Sequence, residues 1–391
     1  MGVYEELGVR KVINCLGEGT IIGGSRVDPS VMEAMAEAAR SFCHLTELND
    51  RAGEVIAEIT GAEAGMVTSG AASSMMMAAA ACMMRGTDLE EVDIHFDMEN
   101  YPYEHDEWQR LMWRLPDTEG LRHEFVAQRC HRNPYLYDFR IPGGRLVWVC
   151  GEGGCSAEEI EDAINERTAA VVHLYQYDER GLGAPLEEVL EAAHGHGVPV
   201  IVDDASGCPP RSKLTLFPRM GVDLACVSGG KAIKGPNDTG LLFGRRDLIR
   251  LARLQYSPHR GVGRPCKVDR TQVIGLVTAL RLYVDQDEGE EFRRWDAKVR
   301  RLMDALRDAP NVRRAERVVD HASPNVKLTI DEEGLGMTAK EVHRELMRGD
   351  PRVVCGPMDW DTEGVVLICV RELADDEEEV VVERLREVLS R

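Results

Sequence analysis

The chain has 391 residues, enough for one large domain with a substantial core plus a smaller one. It is 43% hydrophobic and 29% charged, ordinary for a globular protein, but its net charge of -21 repels phosphate backbones and argues against broad nucleic-acid binding. No stretch reaches the ~18 consecutive apolar residues of a membrane helix. Thr68, Ser69, Ser73 and Ser74 interrupt the closest one, residues 65–84. The N-terminus lacks the apolar run of a signal peptide, and Glu6 stands where a myristoylation signal has Ser or Thr. The eleven cysteines are odd in number and form no CxxC; the closest pair is Cys150 and Cys155. With no histidines at zinc spacing, they read as reduced thiols of a cytoplasmic protein, with neither a disulfide frame nor a metal site.

From about residue 55 to 245 the pattern alternates between helix and strand. "AGEVIAEITG" is a helix ended by Gly61, "AGMVTS" a strand, and "GAASSMMMAAAACMM" a helix of small and flexible apolar residues. The segment 91–112, acidic and aromatic, reads as a surface flap or an insertion. "EFVAQRC", "RLVWVC", "AAVVHLYQ" and "VPVIVDDA" are strands. Between them, "SAEEIEDAINE" opens with a capping box and "PLEEVLEAAHGHG" starts at Pro185. "VDLACVS" and "TGLLFGR" close the series. This order predicts an α/β fold, a mainly parallel sheet with helices on both faces. Residues 271–308 read as one or two long charged helices. The strands "NVKLTI", "RVVCG" and "GVVLICV", with helices "TAKEVHRELMRG" and "EEEVVVERLREVL", complete a smaller α+β domain. The resulting division is an N-terminal segment 1–50, a large domain 51–265, and a linking helix with the small domain 266–391.

Two of the chain's eight lysines lie in "CVSGGKAIKGPNDTG", residues 226–240. A phosphate-loop motif fails here, because Ala225 replaces the required glycine and Ala232 the magnesium-binding hydroxyl. "CGEGGCS" resembles a dinucleotide fingerprint with Ser156 for its last glycine, but the nearest acid, Asp178, lies beyond the ~20-residue spacing expected. Three other pieces combine better. Ser69, Gly70 and Ala71 sit at a strand-to-helix junction, where free N–H groups and the helix dipole favour a phosphate. Asp203 and Asp204 end a buried strand, on the side where open α/β sheets bind ligands. A carboxylate after an apolar run needs a cationic partner. Lys231 follows another strand end. One phosphate grip, one carboxylate and one lysine suit pyridoxal 5'-phosphate. Gly229 and Gly230 then let the backbone pass close to the cofactor. Lys234 would lie one turn beyond Lys231 if that segment is helical.

These residues resemble the fold-type-I pyridoxal-phosphate family that contains bacterial selenocysteine synthase and D-glucosaminate-6-phosphate ammonia-lyase. The resemblance is carried by "VINCLGEGTIIGGS", "DRAGEVIAEITGAEAGMVTSGAASS", "LPDTEG", "HRNPY", "IVDDASGCPP", "SGGKAIKGPNDTGLL" and "GVGRPCKV", over most of residues 11–285. It implies that Lys231 forms the Schiff base and that Asp203 pairs with the pyridine nitrogen. Ser69, Gly70, Ala71 and Ser228 would bind the phosphate. His131 or Arg132 would lie over the ring or near the substrate, Arg264 near the active site, and Arg371 at the substrate carboxylate. Asp204 departs from the family's small apolar residue and leaves the choice between Asp203 and Asp204 open. The resemblance implies a lyase for a small polar amino acid or amino-sugar acid that abstracts the α-proton and eliminates a β-substituent. Within the same cofactor class, an aldolase, a racemase or a β-substituent transferase stands beside it. An NAD-dependent oxidoreductase or a non-catalytic cofactor-binding protein is the alternative of another class. The family also implies a homodimer or higher homo-oligomer, and the missing tRNA-binding region together with the net charge argues against a tRNA substrate.

Overall fold

The computed structural model describes residues 2–91, 113–151, 153–320, 323–357 and 364–391. The segment 91–112, apart from Glu91, lies outside the described residues. The chain forms two compact units, Val27–Asp285 and Met1–Arg26 with Gln286–Arg391. The boundaries drawn from the sequence, after residues 50 and 265, fall inside the larger unit.

Among the described residues twelve strands follow in chain order: β1 (Val12–Cys15), β2 (Ala64–Thr68), β3 (Glu124–Gln128), β4 (Arg145–Val149), β5 (Thr168–Leu174), β6 (Val200–Asp203), β7 (Leu224–Ser228), β8 (Gly240–Gly244), β9 (Val312–Asp320), β10 (Ser323–Ile330), β11 (Arg352–Cys355) and β12 (Val365–Cys369). The larger unit holds a seven-stranded sheet in the order β2-β8-β7-β6-β5-β3-β4. Only β8 runs antiparallel to its neighbours in this sheet. Every residue of β5, "TAAVVHL", is buried, as expected for a strand covered on both faces. The Gly70–Met84 helix is buried along nearly its whole length, because its alanines and methionines pack closely on the sheet and on the Arg246–Gln255 helix. The Leu45–Thr60 helix ends at Gly61, which takes the left-handed conformation at φ 73°. It starts seven residues before the apolar pattern, on a partly exposed first turn, Leu45 to Leu48.

The expectation of reduced thiols is corrected at one pair. Cys150 and Cys155 form a disulfide with Cα atoms 5.2 Å apart, and the other nine cysteines are free. The sequence spacing hid this because the chain folds back on itself. Cys150 adopts φ 62°, and Gly151 pairs with Gly154 as an isolated bridge. The capping box follows directly: Ser156 Oγ accepts from the Glu159 N–H, and Glu159 accepts from the Ser156 N–H at 3.0 Å.

The smaller unit contains the antiparallel sheet β12-β10-β9 and the parallel pair β1-β11. Helices Glu288–Leu306, Ala339–Arg348 and Glu378–Leu389 close its core around Trp295, Val299, Val326, Leu328, Ile368 and Val388. The long charged stretch resolves into two helices, Arg270–Asp285 and Glu288–Leu306, one in each unit. Asp287 starts the second by accepting from the Glu290 N–H at 3.0 Å.

Candidate active site

The site assembles where β2, β8 and β7 meet. Thr68 and Ser228 both lie opposite Gly240, so β8 joins the ends of the two flanking strands. A Cβ on Gly240 would collide with the backbone of Gly70 and Ala71, so this close approach requires glycine. Thr68 Oγ1 donates to Gly70 O at 3.1 Å and lies 2.6 Å from Ser74 Oγ, fixing the turn. Gly70 has φ 78°, and Ser69, just before the helix, makes no side-chain capping bond. The Ser69 side chain therefore leaves the start of a fifteen-residue helix without a side-chain cap near Ser228, an arrangement that favours an anion.

One strand further in, Asp203 ends β6 in register with Leu174 and Cys226. It is buried and accepts from the Ala205 N–H at 3.0 Å. Burial raises its proton affinity, against the Ala205 hydrogen bond and the charge of Lys231. Asp204 is buried too, and neither of its carboxyl oxygens has a hydrogen-bond partner. Burial pushes its pKa up to about 7; Lys213 and Lys231 oppose this, while Asp203 and Glu179 add to it. A third acid, Asp138, has a buried Oδ2 without a partner and is pushed up to about 6 by burial and by Asp203. Sequence reading missed Asp138, whose only signal was an acid among the aromatics of "YLYDFR".

Lys231 lies in the loop from β7 to β8. Gly229 N–H donates to Thr239 O at 2.8 Å, Gly235 N–H to Gly229 O at 2.9 Å, and Lys234 N–H to Lys231 O at 2.8 Å. Lys234 sits in a turn at φ 59°, not in a helix. The two glycines serve the loop itself: a Cβ on Gly230 would collide with the Asn237 backbone, and one on Gly229 with Thr239 and Leu276. The neighbours these glycines approach are the end of the loop at Asn237 and Thr239 and the side chain of Leu276.

The remaining candidates are His131, Arg132, Arg264 and Arg371. His131 is fully buried, stacks on Tyr177 with centroids 5.3 Å apart, and meets His173 edge-on at 4.9 Å. Its Nε2 lies 2.8 Å from Leu182 O, and its Nδ1 accepts from the Leu174 N–H at 3.4 Å. Burial pulls its pKa down to about 4, so the ring is neutral at pH 7. Arg132 and Arg264 are exposed. Arg371, in the smaller unit, is ion-paired with Glu18, a residue the sequence did not single out.

An aminotransferase class-V family model matches residues 145–264. The chain is 31% identical to 5'-C-glycyluridine monooxygenase-decarboxylase of Streptomyces sp, covering 99% of this chain and 92% of that protein. It is 28% identical to D-glucosaminate-6-phosphate ammonia lyase of Salmonella typhimurium, over 99% and 97% of the two chains. A solved structure of D-glucosaminate-6-phosphate ammonia-lyase matches with TM-score 0.82 at 27% identity, over 100% of this chain and 98% of that one. The chain belongs to this fold-type-I pyridoxal-phosphate family. The resemblance read from its sequence is borne out, as are the fold class and the cofactor.

The residues present fit that cofactor. Asp203 and Asp204 are buried, and Asp204 Oδ1, Asp204 Oδ2 and Asp138 Oδ2 have no hydrogen-bond partner, so the cluster has room for the donor that a protonated pyridine nitrogen would bring. The uncapped helix end beside Ser228 suits its phosphate, and Lys231 is the lysine whose charge reaches Asp203.

Proposed function

We propose that the chain is a pyridoxal-phosphate-dependent lyase acting on a small polar amino acid or amino-sugar acid, releasing ammonia and a keto acid. The observation that carries this reading is the convergence of Lys231, Asp203 and the uncapped helix end in a chain similar over its full length to an ammonia-lyase. Bound pyridoxal phosphate supplies an electron sink for the Cα electron pair. Lys231 would hold the cofactor and, once freed by the substrate amine, would take the Cα proton on Nζ. Asp203 holds the proton of the ring nitrogen. Asp204 is the weaker candidate for that role, because its carboxyl is closed off against Gly207, where no Cβ would fit. Ser69, Gly70, Ala71 and Ser228 hold the phosphate. His131, neutral and locked to Leu182 and Leu174, backs the β5 end of the site. Arg132 and Arg264 are exposed cations for an anionic group, and Arg371 is a guanidinium already paired with Glu18.

The 31% identity to a monooxygenase-decarboxylase favours a second reading, oxidative loss of the carboxyl group on the same scaffold. We also read the chain as a homo-oligomer, consistent with the nearly full exposure of Phe42. No helix among the described residues is long and apolar enough to cross a membrane.

The test is cofactor loading followed by borohydride reduction and peptide mass spectrometry. The modified peptide should contain Lys231. Lys231→Ala should keep the fold and lose activity by at least about 10²–10⁴-fold. Ammonia with a keto acid marks the lyase, whereas oxygen uptake with carbon dioxide marks the second reading. Glycine with an aldehyde, or an inverted amino acid, marks the aldolase or racemase. A wild-type protein that takes up no cofactor would sink the proposal.

A further inference from the structure

β4 is the outer strand of the seven-stranded sheet, and the chain turns back just past its end. Cys150 takes φ 62° there, Gly151 pairs with Gly154, and Cys155 returns beside Cys150 with the two Cα atoms 5.2 Å apart. Glu159, in the helix that follows, comes back to the same point. A carboxylate oxygen of Glu159 and the two sulfurs lie within 4.8 Å of one another. The capping box aims that carboxylate, because the Ser156 N–H donates to Glu159 Oε2 at 3.0 Å and the Ser156 hydroxyl at 3.2 Å. A carboxylate has a second oxygen, so the box and a metal do not compete. Packing does not demand the glycines of the turn: a Cβ on Gly151, Gly153 or Gly154 would meet nothing within 4 Å. Of these three, Gly154 alone has a backbone that favours glycine, at φ 150°. With no side chains at Gly151 and Gly153, the two half-buried sulfurs stay open to a small ion.

We propose that Cys150, Cys155 and Glu159 are the ligands of a zinc-type divalent cation, taken up when the disulfide is reduced. A dithiol reductant gives the Cys150–Cys155 bond two electrons and two protons and is itself oxidised to a disulfide. The cation then displaces the two thiol protons to solvent and binds both thiolates and the carboxylate. Four residues separate the cysteines, within the spacing of zinc ligand pairs. Sulfurs about 2.3 Å from a tetrahedral ion sit ~3.8 Å apart, inside the 4.8 Å within which these atoms already gather. Thiolates select zinc over magnesium and calcium, which take oxygen ligands. Two thiolates and a carboxylate carry one negative charge more than the cation neutralises. Arg129, whose Nε donates to Cys150 O at 3.3 Å, stands beside the site to offset it. The fourth position is left to water. In either redox state the end of β4 is tied to the start of the next helix, by the covalent bond or by the cation.

The full-length protein, reduced with a phosphine and freed of excess reductant, is titrated with zinc against a chromophoric chelator and, separately, with cobalt(II). The wild type should take up one ion per chain, and cobalt should give the sulfur-to-metal charge-transfer absorbance of thiolate ligation. The disulfide form should do neither. Cys150→Ser/Cys155→Ser should bind at least about a hundredfold more weakly and lose that absorbance. Glu159→Gln should bind about ten- to a hundredfold more weakly. Glutamine also serves at this position of a capping box, so the helix start survives the change. Far-UV circular dichroism checks that each variant is folded. Four results each overturn the proposal: no uptake by the reduced wild type, uptake kept by the double variant with its nine other cysteines, an affinity unchanged in Glu159→Gln, or displacement of zinc by equimolar magnesium.

Discussion

In the larger unit, Asp203 and Asp204 are buried beside the half-buried Asp138, and three oxygens of Asp204 and Asp138 have no hydrogen-bond partner. In the smaller unit, Glu18 and Arg371 are matched one to one on the face of a rigid turn. The two clusters differ in balance. An uncompensated buried carboxyl is costly, so its persistence marks a place where a cationic ligand completes the structure. A matched pair costs less and attracts no ion.

The largest effect should come from the unmatched cluster. Asp203→Asn should lower kcat by roughly a hundredfold, the scale of a lost proton-handling group, and weaken cofactor binding. Asp204→Asn should change kcat less than about threefold on the same scale. Steady-state rates of the two variants decide between them, and the opposite ranking would exchange their roles.

Asp204 also makes a stability prediction for the cofactor-free protein. Its pKa is about 7 when folded, against ~3.9 when unfolded. Between these values the folded state holds more protons, so stability falls as pH rises from about 4 to about 7. The penalty is absent below that window and complete above it. Asp204→Asn should remove it, so the variant gains on the wild type across the window by up to a few kcal/mol. Chemical denaturation of both proteins at several pH values measures the difference, and parallel curves would show that Asp204 does not titrate there.

Two smaller effects sharpen the account of the loops. Gly230→Ala should cost about 1–3 kcal/mol, because the added methyl meets the Asn237 backbone, which cannot move aside cheaply. Thermal melts check this, and a neutral result would mean the loop has slack. Replacing Cys150 and Cys155 by serine should cost about 2 kcal/mol, the closure entropy of so short a loop. Thiol titration of the unfolded protein, nine free against eleven, checks the bond itself.

Much of the site was legible because its chemistry repeats in the chain as strand ends. Asp203, Ser228 and the Ser69–Ala71 junction each close or follow an apolar run, and such runs are read directly from residue order. Asp138 was not legible, because nothing in "YLYDFR" says that its carboxyl faces Asp203. Glu18 was missed for the same reason. It lies 353 positions from Arg371, and a polar turn near the N-terminus has no periodicity to read. The disulfide was misread because a five-residue separation carries no signal until Cys150 turns left-handed.

The sequence by itself determined the elements and the chemical types: the buried strands, the helix of alanine and methionine, and the lysine, acid and glycine-bearing loops. Local composition sets these through burial and backbone freedom, which act within a few residues. Only the tertiary structure decided the balance of charge. Whether a buried carboxyl is matched depends on groups distant in the chain, 353 positions for Glu18 and Arg371, and it is this balance that separates a place open to a cationic ligand from a closed ion pair.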